Sequence, residues 1–294
     1  MARDASGDRP VLIPHVDDLG VSHGANQAFV ELAGLGFVTC GSVMPPCGWF
    51  PEMAAMAQER PALDVGVHLT LTSESRACRW RPISTASPAS GLLDGDGYLW
   101  PDVPSVRRHA DRGAVETELR AQIEAALAAG IDVTHLDTHM GAAAAPEFAA
   151  IYVALGRAYR LPVLLTRESA SYDSVLAMGS VERGFYDGLI AGLAREGVPL
   201  IDRFAMGLAM PHLSSEEAYR RIVGQAAPGT TFVSLHCNTA GDIEVMHPND
   251  AAWRIAEYEL FKDPEFLAWT SAQAVRLGGF RAIRDRWRED LARR

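Results

Sequence analysis

Residues 11–35, VLIPHVDDLGVSHGANQAFVELAGL, open on an apolar run (11–16) and pass through two adjacent carboxylates into an amphipathic stretch from about 24 to 35. A short apolar run bounded by turn residues reads as a buried strand. Apolar residues spaced three and four apart read as a helix. The turn between them, DDLGVSHG, lacks the GxGxxG of a dinucleotide site, so that use of an α/β sheet loses its main support. The alternation continues along the chain. Strands are predicted over 38–44, 65–71, 133–136, 162–166, near 199–201 and over 230–235. Helices are predicted over 51–60, 114–129, 146–160, 182–196 and 215–226, the last capped by Ser214, and 250–294 reads as helical. Seven or so strands, each followed by a helix, require parallel strands and crossovers. An open doubly wound sheet and a closed or nearly closed (β/α) barrel both fit. Residues 73–112, rich in Ser, Pro, Gly and Arg, form a long loop that is either a lid or substrate wall or a disordered insertion.

Composition narrows the function. The 294 residues are 48% hydrophobic and 22% charged, which is ordinary for a globular protein. With 27 Lys+Arg against 37 Asp+Glu the formal charge is −10, which repels phosphate backbones and anionic lipid. The basic runs 79–81 and 284–294 are short, so neither nucleic acid nor a membrane is expected as a partner. The first ten residues carry no signal pattern and no 18-residue apolar run occurs, so a soluble, cytoplasmic protein is expected. Cys40, Cys47, Cys78 and Cys237 form no CxxC pair and read as small buried hydrophobes.

Ionisable residues gather where strands run out. Strand one ends in Asp17-Asp18, strand three carries His68, strand four ends in His135-Leu136-Asp137-Thr138-His139, and the last confident strand ends at His236. In a parallel α/β protein these ends share one face, where active sites form. Adjacent carboxylates closing an apolar strand are costly without a cation. Residues 17 and 18 are expected to point to different sides of the strand, and so to have two roles. One carboxylate and two imidazoles would suit a divalent cation, leaving a spare carboxylate as base and a spare His as acid. His15, His23, His109, His212 and His247 stand alone and read as surface or structural.

At these residues the chain resembles the YdjC-like carbohydrate deacetylases, which include the chitooligosaccharide deacetylases. HVDDLGVSHGANQAF is similar to their NADDFGLS motif, GVHLTLT to their GLHLNLT strand, THLDTH to their HxDSH block, SLHCN to a later CHP motif, and WRIAEYELF to an R–xx–E–L pattern. The resemblance runs from about residue 11 to 262. It implies one TIM-barrel-like (β/α)-barrel domain over residues 1–294, with fewer than eight regular strands allowed, that removes N-acetyl groups from amino sugars or short N-acetylated oligosaccharides. It also implies one divalent metal ion, Mg²⁺ or Zn²⁺ first and Mn²⁺, Co²⁺ or Ni²⁺ as alternatives, held by Asp18, His68 and His139. Asp17 would be the general base and His236 the general acid. Asp137, His135 and Arg167 would bind substrate or support the ligands. A homo-oligomer is compatible with it. The chain departs from the pattern after His139, where 140–146 are small and apolar instead of carrying further histidines. His15 also stands where Asn is usual. Another metal-dependent chemistry on the same barrel, such as a different amide or ester hydrolysis or a sugar isomerisation, is the alternative expectation, with a degenerate sugar-binding protein behind it.

Overall fold

The apolar run that opens the chain becomes the first strand of a parallel sheet. The strands are β1 (Val11–Leu19), β2 (Cys40–Val43), β3 (Val65–Leu69), β4 (Leu136–Thr138), β5 (Arg203–Met206), β6 (Thr230–Leu235) and β7 (Arg276–Leu277). The structure is a computed structural model and describes residues 9–168, 178–182 and 184–294, so most of the N-terminal stretch read for a signal pattern lies outside it. The sheet order is β4-β3-β2-β1-β6-β5, and β7 pairs with the first two residues of β1. All these pairings are parallel. Helices connect successive strands, so the C-terminal strand ends share one face.

The sheet curls into a half-barrel; the described residues do not form the regular eight-stranded barrel. Between β4 and β5 the pairing thins to two isolated parallel bridges, Leu136 to Val163 and Thr166 to Ile201. The strand expected over 162–166 is therefore only bridged, in part because Pro162 has no N–H to donate. The strand expected near 199–201 forms four residues later, as β5, whose side chains are all half-buried. Tyr152, fully buried on the helix Ala149–Tyr159, fastens the thin region. Its hydroxyl donates to the Leu136 carbonyl (2.8 Å) and accepts from the Leu164 N–H (2.9 Å). In Tyr152→Phe the Leu164 N–H keeps the Leu136 carbonyl as acceptor (2.8 Å), so loss of the hydroxyl is expected to cost about 0.5–1.5 kcal/mol in urea unfolding.

The long loop is ordered. Glu118, fully buried on the helix Arg112–Ala128, accepts from the Ile83 and Ser84 N–H groups (3.1 and 2.8 Å). Trp80 Nε1 donates to the Thr72 carbonyl (2.7 Å), and Asp102 caps the helix Val103–His109 inside the loop. These anchors speak for an ordered segment rather than a disordered insertion. Ser214 caps Ser215–Gly224 through a capping box. The C-terminal part is helical, as expected, but β7 interrupts it. No helix among the described residues is long and apolar enough to cross a membrane.

Candidate functional site

β1 delivers both of its carboxylates to one place. Its register against β2 slips between Val16 and Leu19, and Asp18 takes the left-handed conformation (φ 62°). A bulge of this kind re-aims a side chain, and Asp is among the few residues other than glycine that tolerate the conformation. Asp17 and Asp18 therefore line the same cavity, of about 280 Å³. This corrects the expectation that the two point to different sides: strict alternation fails where the strand bulges. β3, β4 and the end of β6 bring His68, Asp137, His139 and His236 to the same cavity.

Asp18, His68 and His139 face one another. Asp18 Oδ1 lies 3.0 Å from His139 Nδ1 and 3.4 Å from His68 Nε2, and all three residues are buried. Oδ1 has no hydrogen-bond partner, which for a buried carboxylate oxygen marks a place meant for positive charge. The donor atoms of the three residues lie within 4.8 Å of one another. The far nitrogen of each imidazole is held by another carboxylate: His68 Nδ1 by Asp137 Oδ2 (3.0 Å) and His139 Nε2 by Glu74 Oε2 (3.0 Å). Ser42 Oγ adds a hydrogen bond to Asp137 Oδ2 (2.9 Å). Metal-ligating histidines are typically oriented by such outer carboxylates. The donor set thus fits a divalent cation.

Electrostatics agree. Burial alone would lower the pKa of His139, but Glu74 and Asp18 overcome it and push it up to about 9. Burial likewise opposes protonation of His68, and Asp137, Asp18 and Asp17 raise its pKa well above the usual imidazole value. Burial would raise the pKa of Asp18, but His139, His68 and Arg254 hold it well below the carboxylate range. The carboxylates around them thus bias both imidazoles toward carrying a proton.

Asp17 is tied differently. His15 Nδ1 lies 2.6 Å from its Oδ1, Ser234 Oγ donates to its Oδ2 (2.8 Å), and His236 Nε2 stands 3.8 Å from Oδ2. Glu257, on the helix Ala251–Lys262, fixes the end of β6 by accepting from the His236 N–H (2.6 Å), Trp253 Nε1 (2.7 Å) and the Tyr219 hydroxyl. Asp17, Asp18, His68, Asp137, His139 and His236 are brought together. His135 lies buried outside the cavity lining, and Arg167 does not reach the cavity; its half-exposed side chain pairs with Asp202 (3.2 Å).

Several residues escaped the sequence reading. His15, expected to be surface or structural, is fully buried against Asp17. The signal was available, because residues two apart on a strand share a face. His247 lines the cavity, 3.8 Å from Glu74. Arg254 Nη1 bonds Asp18 Oδ2 (2.8 Å) while its Nε bonds Asp250 (3.0 Å). Its signal lay in the WRIAEYELF segment, where Arg254 and Glu257 are the Arg and Glu of the R–xx–E–L pattern, although nothing in that pattern states their task; Glu74 sits inside the unpatterned loop.

The sequence matches the model of the YdjC-like protein family over residues 11–272. The chain belongs to the YdjC-like family. The resemblance read from the DD, GVHLTLT and THLDTH segments is thus borne out. Among YdjC-like relatives, the carbohydrate deacetylase of Thermus thermophilus is 43% identical over 212 residues, covering 70% of this chain and 74% of its own. That of Thermoanaerobacter pseudethanolicus is 28% identical over 273 residues, covering 93% and 99%. A solved structure from Enterococcus faecalis V583, provisionally named a cellobiose-phosphate cleavage protein, superposes with a TM-score of 0.77 at 22% identity. It covers 94% of this chain and 99% of its own, and supports the fold of this YdjC-like chain.

Proposed function

We propose that this YdjC-like protein is a hydrolase that removes acetyl groups from N-acetylated amino sugars. In this reading Asp18, His68 and His139 hold one divalent cation, Asp17 is the general base and His236 the general acid. The observation that carries it is the meeting of an unpartnered, buried Asp18 oxygen with two carboxylate-backed imidazoles, beside a second carboxylate and a third imidazole. The carbohydrate deacetylases among its relatives supply the substrate class.

Deacetylation consumes a water and leaves acetate and an amine. A divalent cation, when bound, lends Lewis acidity to the acetyl carbonyl and to the attacking water. Asp17 takes the proton of that water on Oδ2, since Oδ1 is committed to His15. His236 Nε2 gives a proton to the departing nitrogen. Arg254 holds Asp18 in its bulged conformation, and Asp137 and Glu74 aim the two ligand imidazoles. Leu164, Phe204, Met206 and Leu208 form an apolar wall suited to the acetyl methyl and a sugar-ring face.

Protein stripped with a chelator is expected to release no acetate from N,N′-diacetylchitobiose or N-acetylglucosamine. Adding back Zn²⁺, Mg²⁺, Mn²⁺, Co²⁺ or Ni²⁺ singly should restore release with at least one of them. Silence on every N-acetylated sugar, with an ion bound, overturns the substrate assignment.

A further inference from the structure

Behind Asp17 lies a group of buried polar side chains to which the reaction above gives no task. His15 and His135 have no solvent exposure and line no part of the cavity. His15 Nδ1 is 2.6 Å from Asp17 Oδ1, His15 Nε2 is 2.8 Å from His135 Nε2, and His135 Nδ1 is 2.9 Å from Thr134 Oγ1. Once one end of this chain is fixed, so are its hydrogens. An ionised Asp17 can only accept, so His15 Nδ1 carries a hydrogen. A neutral His15 then has a bare Nε2 and must accept from His135 Nε2–H. That leaves His135 Nδ1 bare, to accept from the Thr134 hydroxyl. Burial holds the pKa of His135 well below the usual value, which favours its neutral ring.

The fold makes room for the pair. At Gly66, in β3, a Cβ would stand 2.5 Å from the His135 ring, so only glycine lets the imidazole lie there. Phe280 stacks on the other ring contact of His135 (centroids 3.9 Å apart, 16° between planes), and Phe232 packs on His15 at 4.7 Å. Apolar neighbours on these sides leave the two rings few partners but each other, Asp17, Thr134 and Asp137, whose Oδ2 stands 3.7 Å from His15 Nε2, beyond hydrogen-bond reach.

We propose that His15 and His135 are positioning residues for Asp17, the pair locking His15 in its Nδ1–H tautomer so that Asp17 keeps Oδ1 tied and Oδ2 turned toward His236. The inference rests on the reading of Asp17 as the base. Without the His135 hydrogen, His15 is free to move its own hydrogen to Nε2. Its Nδ1 lone pair would then face the carboxylate, which would turn away. The rival is a second cation, since donor atoms of His15, His135 and Asp137 also lie within 4.8 Å of one another. An ion there would take the two Nε2 lone pairs and abolish the hydrogen chain.

Full-length protein labelled with ¹⁵N at histidine tests this by long-range ¹H–¹⁵N spectra, with His15→Gln and His135→Leu assigning the signals. The expected result is neutral Nδ1–H for His15 and neutral Nε2–H for His135. Nε2–H on His15, or a doubly protonated ring in the pair, overturns the proposal. So does a second ion per chain that His135→Leu removes. In acetate release, His135→Leu is expected to lower kcat by about 10–100-fold with KM little changed. His135→Gln, which keeps an N–H donor, should recover part of that loss. A folded His135→Leu protein with wild-type kcat also overturns it; if that variant fails to fold, the spectra of the unaltered protein decide. Should that unaltered protein release no acetate, the functional reading falls, while the tautomers still stand or fall on the spectra.

Discussion

Asp17→Asn is expected to lower kcat for acetate release by about 10²–10⁴-fold, the range that a positioned general base supplies. The substitution is nearly isosteric. His15 Nδ1 can still donate to the side-chain oxygen, and the Ser234 hydroxyl can rotate to accept from the new amide. What disappears is the capacity to accept a proton at Oδ2, 3.8 Å from His236 Nε2. Ion content by elemental analysis is expected to match the wild type, because the candidate ligands are Asp18, His68 and His139. Full activity would end the role of Asp17 as base. Loss of the ion together with activity would instead make Asp17 a ligand, an arrangement that its proximity to His68 and Asp137 allows.

That division of labour between adjacent aspartates shows what the sequence could and could not deliver. The strand ends were legible because apolar runs stop at polar residues, and parallel crossovers force those ends onto one face. Those ends carry Asp17, Asp18, His68, His135, Asp137, His139 and His236, of which all but His135 line the cavity. The bulge at Asp18 was not legible: a register slip depends on pairing between β1 and β2, which single-strand periodicity does not encode. Alternation of side chains therefore put the two carboxylates on opposite sides when the folded strand puts them on one. The contact of Arg254 was equally hidden, although the residue itself belongs to the R–xx–E–L pattern. Its guanidinium reaches Asp18 across 236 positions of chain; burial opposes its charge, but Asp18 and Asp250 sustain it. Arg167, which the resemblance implies as a substrate or supporting residue, pairs with Asp202 and is not among the residues lining the cavity.

His139→Ala is expected to release the ion during desalting, whereas the wild type and an Arg167→Ala control retain it at near one per chain. The proposed ligand set has three protein donors, and an outer partner alone is worth about 10–100-fold in affinity, so deleting a ligand should cost more. Retention of a full ion by the folded variant would remove His139 from the set. The same residue sets the pH dependence of loading. In the ion-free protein, burial disfavours the His139 imidazolium but Glu74 and Asp18 sustain it up to a pKa of about 9. An ion needs the neutral ring, so at pH 7 loading must expel that proton. The sign follows: affinity rises with pH, by about tenfold per unit for each displaced proton, with the raised His68 adding to His139, and the His139 share of the slope flattens above pH 9. Calorimetric titrations in buffers of different ionisation enthalpy should register the released proton directly. Binding without proton release at pH 7 would mean that the ion does not draw on His139, and would place it elsewhere in the cavity.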